Sequence, residues 1–249
     1  LYSAPKTQIK DVYFDIQMQQ NFTDAITKVS VNVGAYGDIP TDSYVTFRLY
    51  DAENSMVFED DLIGAKLAYK EDLTGGAHLA ETSERIAITN LHTWTADDPY
   101  LYTGVITLFD KDGNVLDMIT DKIGFRDVGF STDEQGIKTF TINGVPLKLY
   151  GVVYNETSAV GGKTVTLEEM RQDILMMKQL NINAVRSPGQ PFSADFIDLC
   201  DEYGLYVVSD VNLSTYPWSR KGSQTIPGDQ AIWQTAVLDR LVTVSYTHL

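Results

Sequence analysis

Residues 140–210, FTINGVPLKLYGVVYNETSAVGGKTVTLEEMRQDILMMKQLNINAVRSPGQPFSADFIDLCDEYGLYVVSD, decide the fold. Asn143-Gly144 lies between Phe140-Thr141-Ile142 and Leu147-Lys148-Leu149. These two residue types accept the left-handed backbone of a tight turn, so the pattern predicts a hairpin. Residues 147–153 form an apolar run of strand length. Thr166-Leu167-Glu168-Glu169 is a capping box, in which a hydroxyl and a carboxylate satisfy the orphan amides of a helix start. The helix it opens carries Leu167, Met170, Ile174 and Met177 at helical spacing. A short strand is predicted over 183–186, a helix over about 193–203 ended by Gly204, and a third strand over 205–208. Strands alternating with helices of this length build a parallel sheet covered by helices. The order is that of a barrel or a doubly wound domain, with three of its strands visible.

Upstream the period is different. The stretches beginning at Asp11, Lys28, Tyr44, Arg85, Leu101 and Val115 alternate apolar and polar residues, with turn signals such as Gly37-Asp38-Ile39-Pro40 and Asp110-Lys111-Asp112-Gly113-Asn114 between them. Short alternating strands without helical stretches predict an antiparallel β-sandwich of immunoglobulin-like size. The cysteine and tryptophan hallmark of antibody domains is absent, so the likeness is one of architecture. The period changes after Phe130, and the polar segment Ser131-Thr132-Asp133-Glu134-Gln135-Gly136 reads as the connection. The chain is therefore expected to be multidomain, with a sandwich over 9–130 and a strand–helix domain over 131–249.

The 249 residues, 43% of them apolar, suffice for two cores, and the formal net charge of −15 excludes some partners without naming one. Such a charge repels phosphates, which argues against nucleic acid and against anionic membrane surfaces. No apolar run reaches the ~20 residues of a membrane-spanning helix. The single cysteine, Cys200, falls inside a predicted helix with no histidine near it in sequence, which favours a small core residue over a nucleophile. His78, His92 and His248 lack metal-ligand spacing, and neither a metal nor a cofactor is expected. Asn21, Asn155 and Asn212 begin glycosylation-type triplets of a kind that chance supplies at this length. Gly161-Gly162 lacks the following Lys-Ser/Thr of a phosphate cradle and reads as a loop.

Strand–helix barrels place their chemistry at the C-terminal ends of the strands. Three such ends are visible here, carrying Tyr154, Asn155 and Glu156, then Arg186 and Gln190, then Asp210, Asn212, Tyr216 and Trp218. Amides, a guanidinium, carboxylates and flat rings can bond sugar hydroxyls and stack on sugar C–H faces. The substrate-binding candidates are Arg186, Asn155, Glu156, Asp210, Asn212, Tyr216 and Trp218. Glu156 and Asp210 are the carboxylates available for a glycosidase pair, although carboxylates at strand ends also serve as helix caps.

The chain resembles the family-two glycoside hydrolases, which include β-galactosidases and β-glucuronidases. The resemblance rests on Trp94, Asp98-Pro99-Tyr100-Leu101-Tyr102, Ile123-Gly124-Phe125-Arg126 and the run from Ile142 to Gly151. It continues through Met170, Asp173 to Lys178, Asn181 to Arg186, and Leu199 to Val207. It implies a jelly-roll sugar-binding domain, an immunoglobulin-like domain and then a (β/α)8 TIM barrel. Residues 1–8 would be the last strand of the first domain, and 131–249 the N-terminal part of the barrel. It further implies retaining hydrolysis of β-glycosides by two glutamates, a proton donor after the fourth barrel strand and a nucleophile near the seventh. Neither position falls within the predicted elements, so no catalytic residue is expected in this chain and the fragment alone is expected to be inactive. The alternative is a non-enzymatic carbohydrate-binding or scaffold module.

Arg186 matches the family arginine beside the nucleophile. Elsewhere the residues depart: Tyr154-Asn155-Glu156 replaces Arg-His-Glu, Gly189-Gln190-Pro191 replaces His-Tyr-Pro, Ser209-Asp210-Val211-Asn212 replaces Asp-Glu-Ala-Asn, and Tyr216 stands for a later histidine. Galactosidase specificity and a family metal pattern are thereby put in question. Partners implied are a β-glycoside substrate and other copies of the full-length parent. The compartment stays open between bacterial cytoplasm and a secreted or periplasmic space, the native N-terminus being expected upstream of Leu1. Residues 245–249 read as a translated adapter remnant after a helix over about 230–244.

Overall fold

The computed structural model describes residues 3–60, 67–71, 77–211, 220–221, 224–225, 228 and 230–247. By internal contacts the chain forms two units, Leu1–Thr95 with Tyr100–Leu147, and Ala96–Pro99 with Lys148–Leu249.

The first unit holds β1 (Thr7–Met18), β2 (Ala25–Ala35), β3 (Tyr44–Tyr50), β4 (Met56–Asp60), β5 (Lys70–Glu71), β6 (His78–Ile88), β7 (Tyr102–Phe109) and β8 (Val115–Ile123). They make two antiparallel sheets, ordered β1-β2-β6-β5 and β4-β3-β7-β8. The period of two is visible as burial: Val29, Val31 and Val33 of β2 meet Phe47 and Leu49 of β3 and Ile106 and Leu108 of β7 in one core. This is the expected immunoglobulin-like sandwich. The sequence pattern missed β4 and β5, since β4 has five residues with Met56 and Val57 exposed, and β5 is a charged pair.

β1 starts at Thr7, which pairs with Ala35, so Thr7 and Gln8 lie in the sandwich sheet, two residues before the expected start. The register shift between Ile9 and Asp11 explains the difference, because a bulge breaks the alternation on which the sequence pattern relied. The amide of Ile9 at this bulge donates to Asp117 Oδ2 of β8 at 2.8 Å.

Three further strands, β9 (Val128–Thr132), β10 (Lys138–Ile142) and β11 (Val145–Pro146), form a sheet ordered β11-β10-β9. The Asn143-Gly144 hairpin closes as expected, with φ of 48° and 74° at its two corners. By contacts this sheet falls in the first unit, which runs to Leu147, whereas the change of period put the sandwich's end at 130. Asn143 supplies the reason. Its Oδ1 accepts the Asp127 amide at 2.8 Å, and its Nδ2 donates to the Trp94 carbonyl at 3.2 Å. Trp94 is itself 1% exposed, with Arg126 over its ring at 5.0 Å.

The second unit holds β12 (Gly151–Val153), α1 (Leu167–Gln179), β13 (Ala184–Arg186), α2 (Ala194–Tyr203) and β14 (Tyr206–Val208), then β15 (Arg220–Lys221), β16 (Gln224–Thr225) and α3 (Ile232–Thr247). β12, β13 and β14 form a parallel sheet in that order, with Val152, Val185 and Val207 in register. Those three valines pack toward Met170, Ile174 and Met177 of α1 and Phe196, Ile197, Leu199 and Cys200 of α2. Leu167, expected on the same stripe, is 48% exposed because it occupies the first helical position.

The capping box is formed as predicted: Thr166 Oγ1 accepts from the Glu169 amide and the Glu169 carboxylate accepts from the Thr166 amide. α2 is capped by Ser193 and stopped by Gly204 in the left-handed region at φ 78°. The segment Ala96–Pro99 belongs to this unit by a local lock. Lys178 Nζ donates to the carbonyls of Ala96 and Gly204 at 2.7 and 2.9 Å, and the Ala96 amide donates to Tyr206 Oη at 3.3 Å.

Candidate functional site

In the second unit, the C-terminal ends of β12, β13 and β14 lie side by side because the strands are parallel and in register. Arg186 is the last residue of β13, and Asp210 follows β14 by two residues. Arg186 Nε and Nη2 donate to the two Asp210 oxygens, each at 3.0 Å, a forked pair. The backbone completes the carboxylate's shell, with the Gly189 amide donating to Asp210 Oδ2 at 2.9 Å. Ser187, 1% exposed, accepts the Asp210 amide on its Oγ at 3.0 Å. The Arg186 guanidinium, followed by the Gly189 amide, holds the Asp210 carboxyl below the usual carboxylate range. The carboxylate in turn raises the Arg186 pKa.

Glu156 is placed differently. Its carboxylate accepts from the Ser193 amide at 3.0 Å and from the Ser193 hydroxyl. That hydroxyl also accepts from the Phe196 amide at 3.4 Å, so Glu156 braces the N-cap of α2. The negative charge sits where the helix dipole is positive. Tyr154 turns away from the rim: its ring stacks on Phe196 at 4.8 Å and its hydroxyl donates to Asp173 Oδ2 at 2.6 Å. Burial, with the neighbouring Asp173 carboxylate, pushes the Tyr154 pKa up, so the phenol stays protonated.

Of the predicted substrate-binding residues, Arg186 and Asp210 are brought together, Glu156 lies at the neighbouring strand end, and Asn155 is exposed beside it. Asn212, Tyr216 and Trp218 lie outside the described residues. Sequence reasoning missed Ser187, Gly189 and Ser193, which orient the two carboxylates. Gly189 carried a usable signal, since its φ of 72° is the reason glycine stands there.

The loop from β12 to α1 is rigidly tied. Ser158 Oγ accepts the amides of Val160 and Gly161 and donates to Glu169 Oε1 at 2.6 Å, and Gly162 pairs with the Ser158 backbone. Cys200 is fully buried, and burial pushes its thiol pKa up, away from nucleophilic use. Among the described residues no group of three His, Cys, Asp or Glu could hold a metal ion, and no helix is long and apolar enough to cross a membrane.

Residues 7–126 match the family model for glycosyl hydrolases family 2, and residues 135–247 match the family 2 TIM barrel domain. The chain belongs to glycoside hydrolase family 2. A β-galactosidase of Priestia megaterium is 35% identical over 247 residues, covering 96% of this chain and 22% of its own length. One of Halalkalibacterium halodurans is 29% identical over 249 residues, covering 98% of this chain and 23% of its own. The chain thus spans about a quarter of the length of these relatives. In structure, the β-glucuronidase of Parabacteroides merdae superposes with a TM-score of 0.77 at 24% identity, over 98% of this chain and 28% of that one, a likeness of fold. The fold is therefore the family's sandwich followed by the opening of its TIM barrel, and the chain is a segment of a β-glycosidase-family architecture.

Proposed function

We propose that this chain is part of a retaining β-glycosidase that hydrolyses O-glycosidic bonds of β-galactoside-like substrates. Its share is the sandwich and the first three barrel strands; the proton donor and the nucleophile lie outside it. The observation that carries the proposal is the Arg186–Asp210 fork at the C-terminal ends of β13 and β14, the side on which barrels do their chemistry. The family resemblance sets Arg186 beside the nucleophilic glutamate. A fixed guanidinium there holds that carboxylate ionised and oriented, which is what attack on the anomeric carbon requires.

In this reading Glu156 and Asp210 are supports rather than an acid–nucleophile pair, since each is already committed to donors of the chain itself. The β-galactosidases named above favour a galactoside; the P. merdae neighbour is named a glucuronidase, and its likeness carries fold alone. The experiment is hydrolysis of aryl β-galactosides and aryl β-glucuronides by the purified chain. The expected result is no release of the aryl group. Turnover that disappears in Glu156→Gln or Asp210→Asn would overturn the proposal.

A further inference from the structure

Asn143 is the one asparagine of the sequence that is followed by glycine. That order carries a reaction as well as a turn. The peptide nitrogen after an asparagine can attack the side-chain carbonyl carbon, and before glycine no Cβ hinders its approach. We propose that Asn143 is a self-modifying site in the first unit. It converts spontaneously to aspartate or isoaspartate when its hairpin opens, and the product cannot re-form the anchor to Trp94.

Water is the only co-reactant. The Gly144 nitrogen gives up its proton and bonds to Asn143 Cγ, while the Cγ–Nδ2 bond breaks and Nδ2 leaves as ammonia with that proton. Water then opens the five-membered imide at one carbonyl or the other. One opening gives aspartate; the other gives isoaspartate, whose main chain runs through the side-chain carbon. Nothing is oxidised or reduced.

The native contacts hold this reaction off. Oδ1 accepts the Asp127 amide at 2.8 Å and Nδ2 donates to the Trp94 carbonyl at 3.2 Å, so Cγ cannot turn onto Gly144 until both bonds break. The Phe22 ring lies against the same corner, where a Cβ built on Gly144 would fall 2.7 Å from its Cζ. Asn54, Asn90 and Asn181 share the left-handed backbone, with φ of 61°, 59° and 57°, but precede serine, leucine and isoleucine, whose side chains impede the attack. After conversion to aspartate an oxygen stands where Nδ2 stood and confronts the Trp94 carbonyl, two acceptors with no hydrogen between them. Isoaspartate also lengthens the main chain inside the Ile142–Val145 pair.

The test incubates the full chain at mildly alkaline pH, folded and in concentrated urea. Mass spectrometry follows the tryptic peptide Thr139–Lys148, in which Asn143 is the single asparagine, for replacement of NH2 by OH. In urea Asn143 is expected to convert before any other asparagine. In the folded chain it should convert at least roughly tenfold more slowly, the factor that two hydrogen bonds of ordinary net strength supply. A second arm uses Asn143→Asp. Aspartate suits this hairpin corner as well as asparagine does, so a residue serving the turn alone would leave amide exchange at Ile142 and Val145 unchanged. Exchange there is instead expected to quicken roughly fivefold or more, with Val29 and Ile106 of the sandwich core still protected. Equal conversion rates in folded and unfolded chain overturn the proposal, as does faster conversion of another asparagine in urea. So does native exchange in the variant, or loss of protection at Val29 and Ile106.

Discussion

Gly204 is the position where a single methyl group tests most of the second unit. It ends α2 at φ 78°, and a Cβ built there runs into the backbone of Ala96, with the carbonyl oxygen nearest. Gly204→Ala meets two costs. An L-residue in the left-handed region costs roughly 1–2 kcal/mol. The Ala96 carbonyl cannot rotate away like a side-chain tip, so its segment must shift, weakening its bond from Lys178 and the amide bond to Tyr206. A hydrogen bond from a charged group contributes about 1.5–3 kcal/mol, so the total comes to roughly 2.5–5 kcal/mol.

Gly162→Ala is the control. It lies in the same unit at φ 64°, but nothing stands within 4 Å of its Cβ position, so only the conformational cost of roughly 1–2 kcal/mol applies. Cys200 supplies the assay, being the single cysteine and fully buried in α2. Its labelling by a thiol reagent in mild urea reports the opening of this unit alone, and the rate follows the open population when closing is fast. At about 1.36 kcal/mol per tenfold, Gly204→Ala should accelerate labelling by roughly two to four orders of magnitude and Gly162→Ala by roughly fivefold to thirtyfold. If the two variants label at similar rates, the Ala96 lock is not a stabilising feature of this unit.

Thr166→Ala removes the acceptor of the Glu169 amide and should cost about 1 kcal/mol, seen as faster hydrogen exchange confined to the first turn of α1. Asn143→Ala loses the bonds to Asp127 and Trp94 and places alanine at φ 48°; roughly 2–4 kcal/mol of lost protection at Ile142 and Val145 is expected, and exchange there unchanged would refute the anchoring role. Asp210 has a folded pKa below its ordinary 3.8, so its contribution is fully present above that value and is lost as pH falls through the lower folded pKa. The Gly189 amide shift should accordingly be flat from neutral pH to about 5 and change only in acid below 3.8. A midpoint above 3.8 would contradict the fork.

The elements of both units were legible in the sequence wherever the governing interaction is local. Asn143-Gly144 closes its hairpin, Thr166 and Glu169 cap α1, and Gly204 stops α2, because each needs only residues within one turn. Period two and period 3.6 separated the sandwich from the strand–helix domain for the same reason. What escaped was short or interrupted: β4 and β5 at sheet edges, and the start of β1, where a bulge breaks alternation. The rim was legible as a list of residue types but not as a set of roles. Tyr154 was grouped with the polar rim, yet it stacks into the core on Phe196.

The amino-acid order alone determined that the chain is a sandwich followed by the opening of a strand–helix domain, and that its polar loops gather at the ends of three strands. Only the tertiary structure decided which charges meet. Arg186 and Asp210 are 24 residues apart, and Glu156 and Ser193 are 37 apart, so no local rule selects them. Parallel pairing of β12, β13 and β14 brings those chain positions to one edge. There an ionised group settles against whichever donors packing presents, since leaving it without partners costs more than any propensity in the sequence can offset.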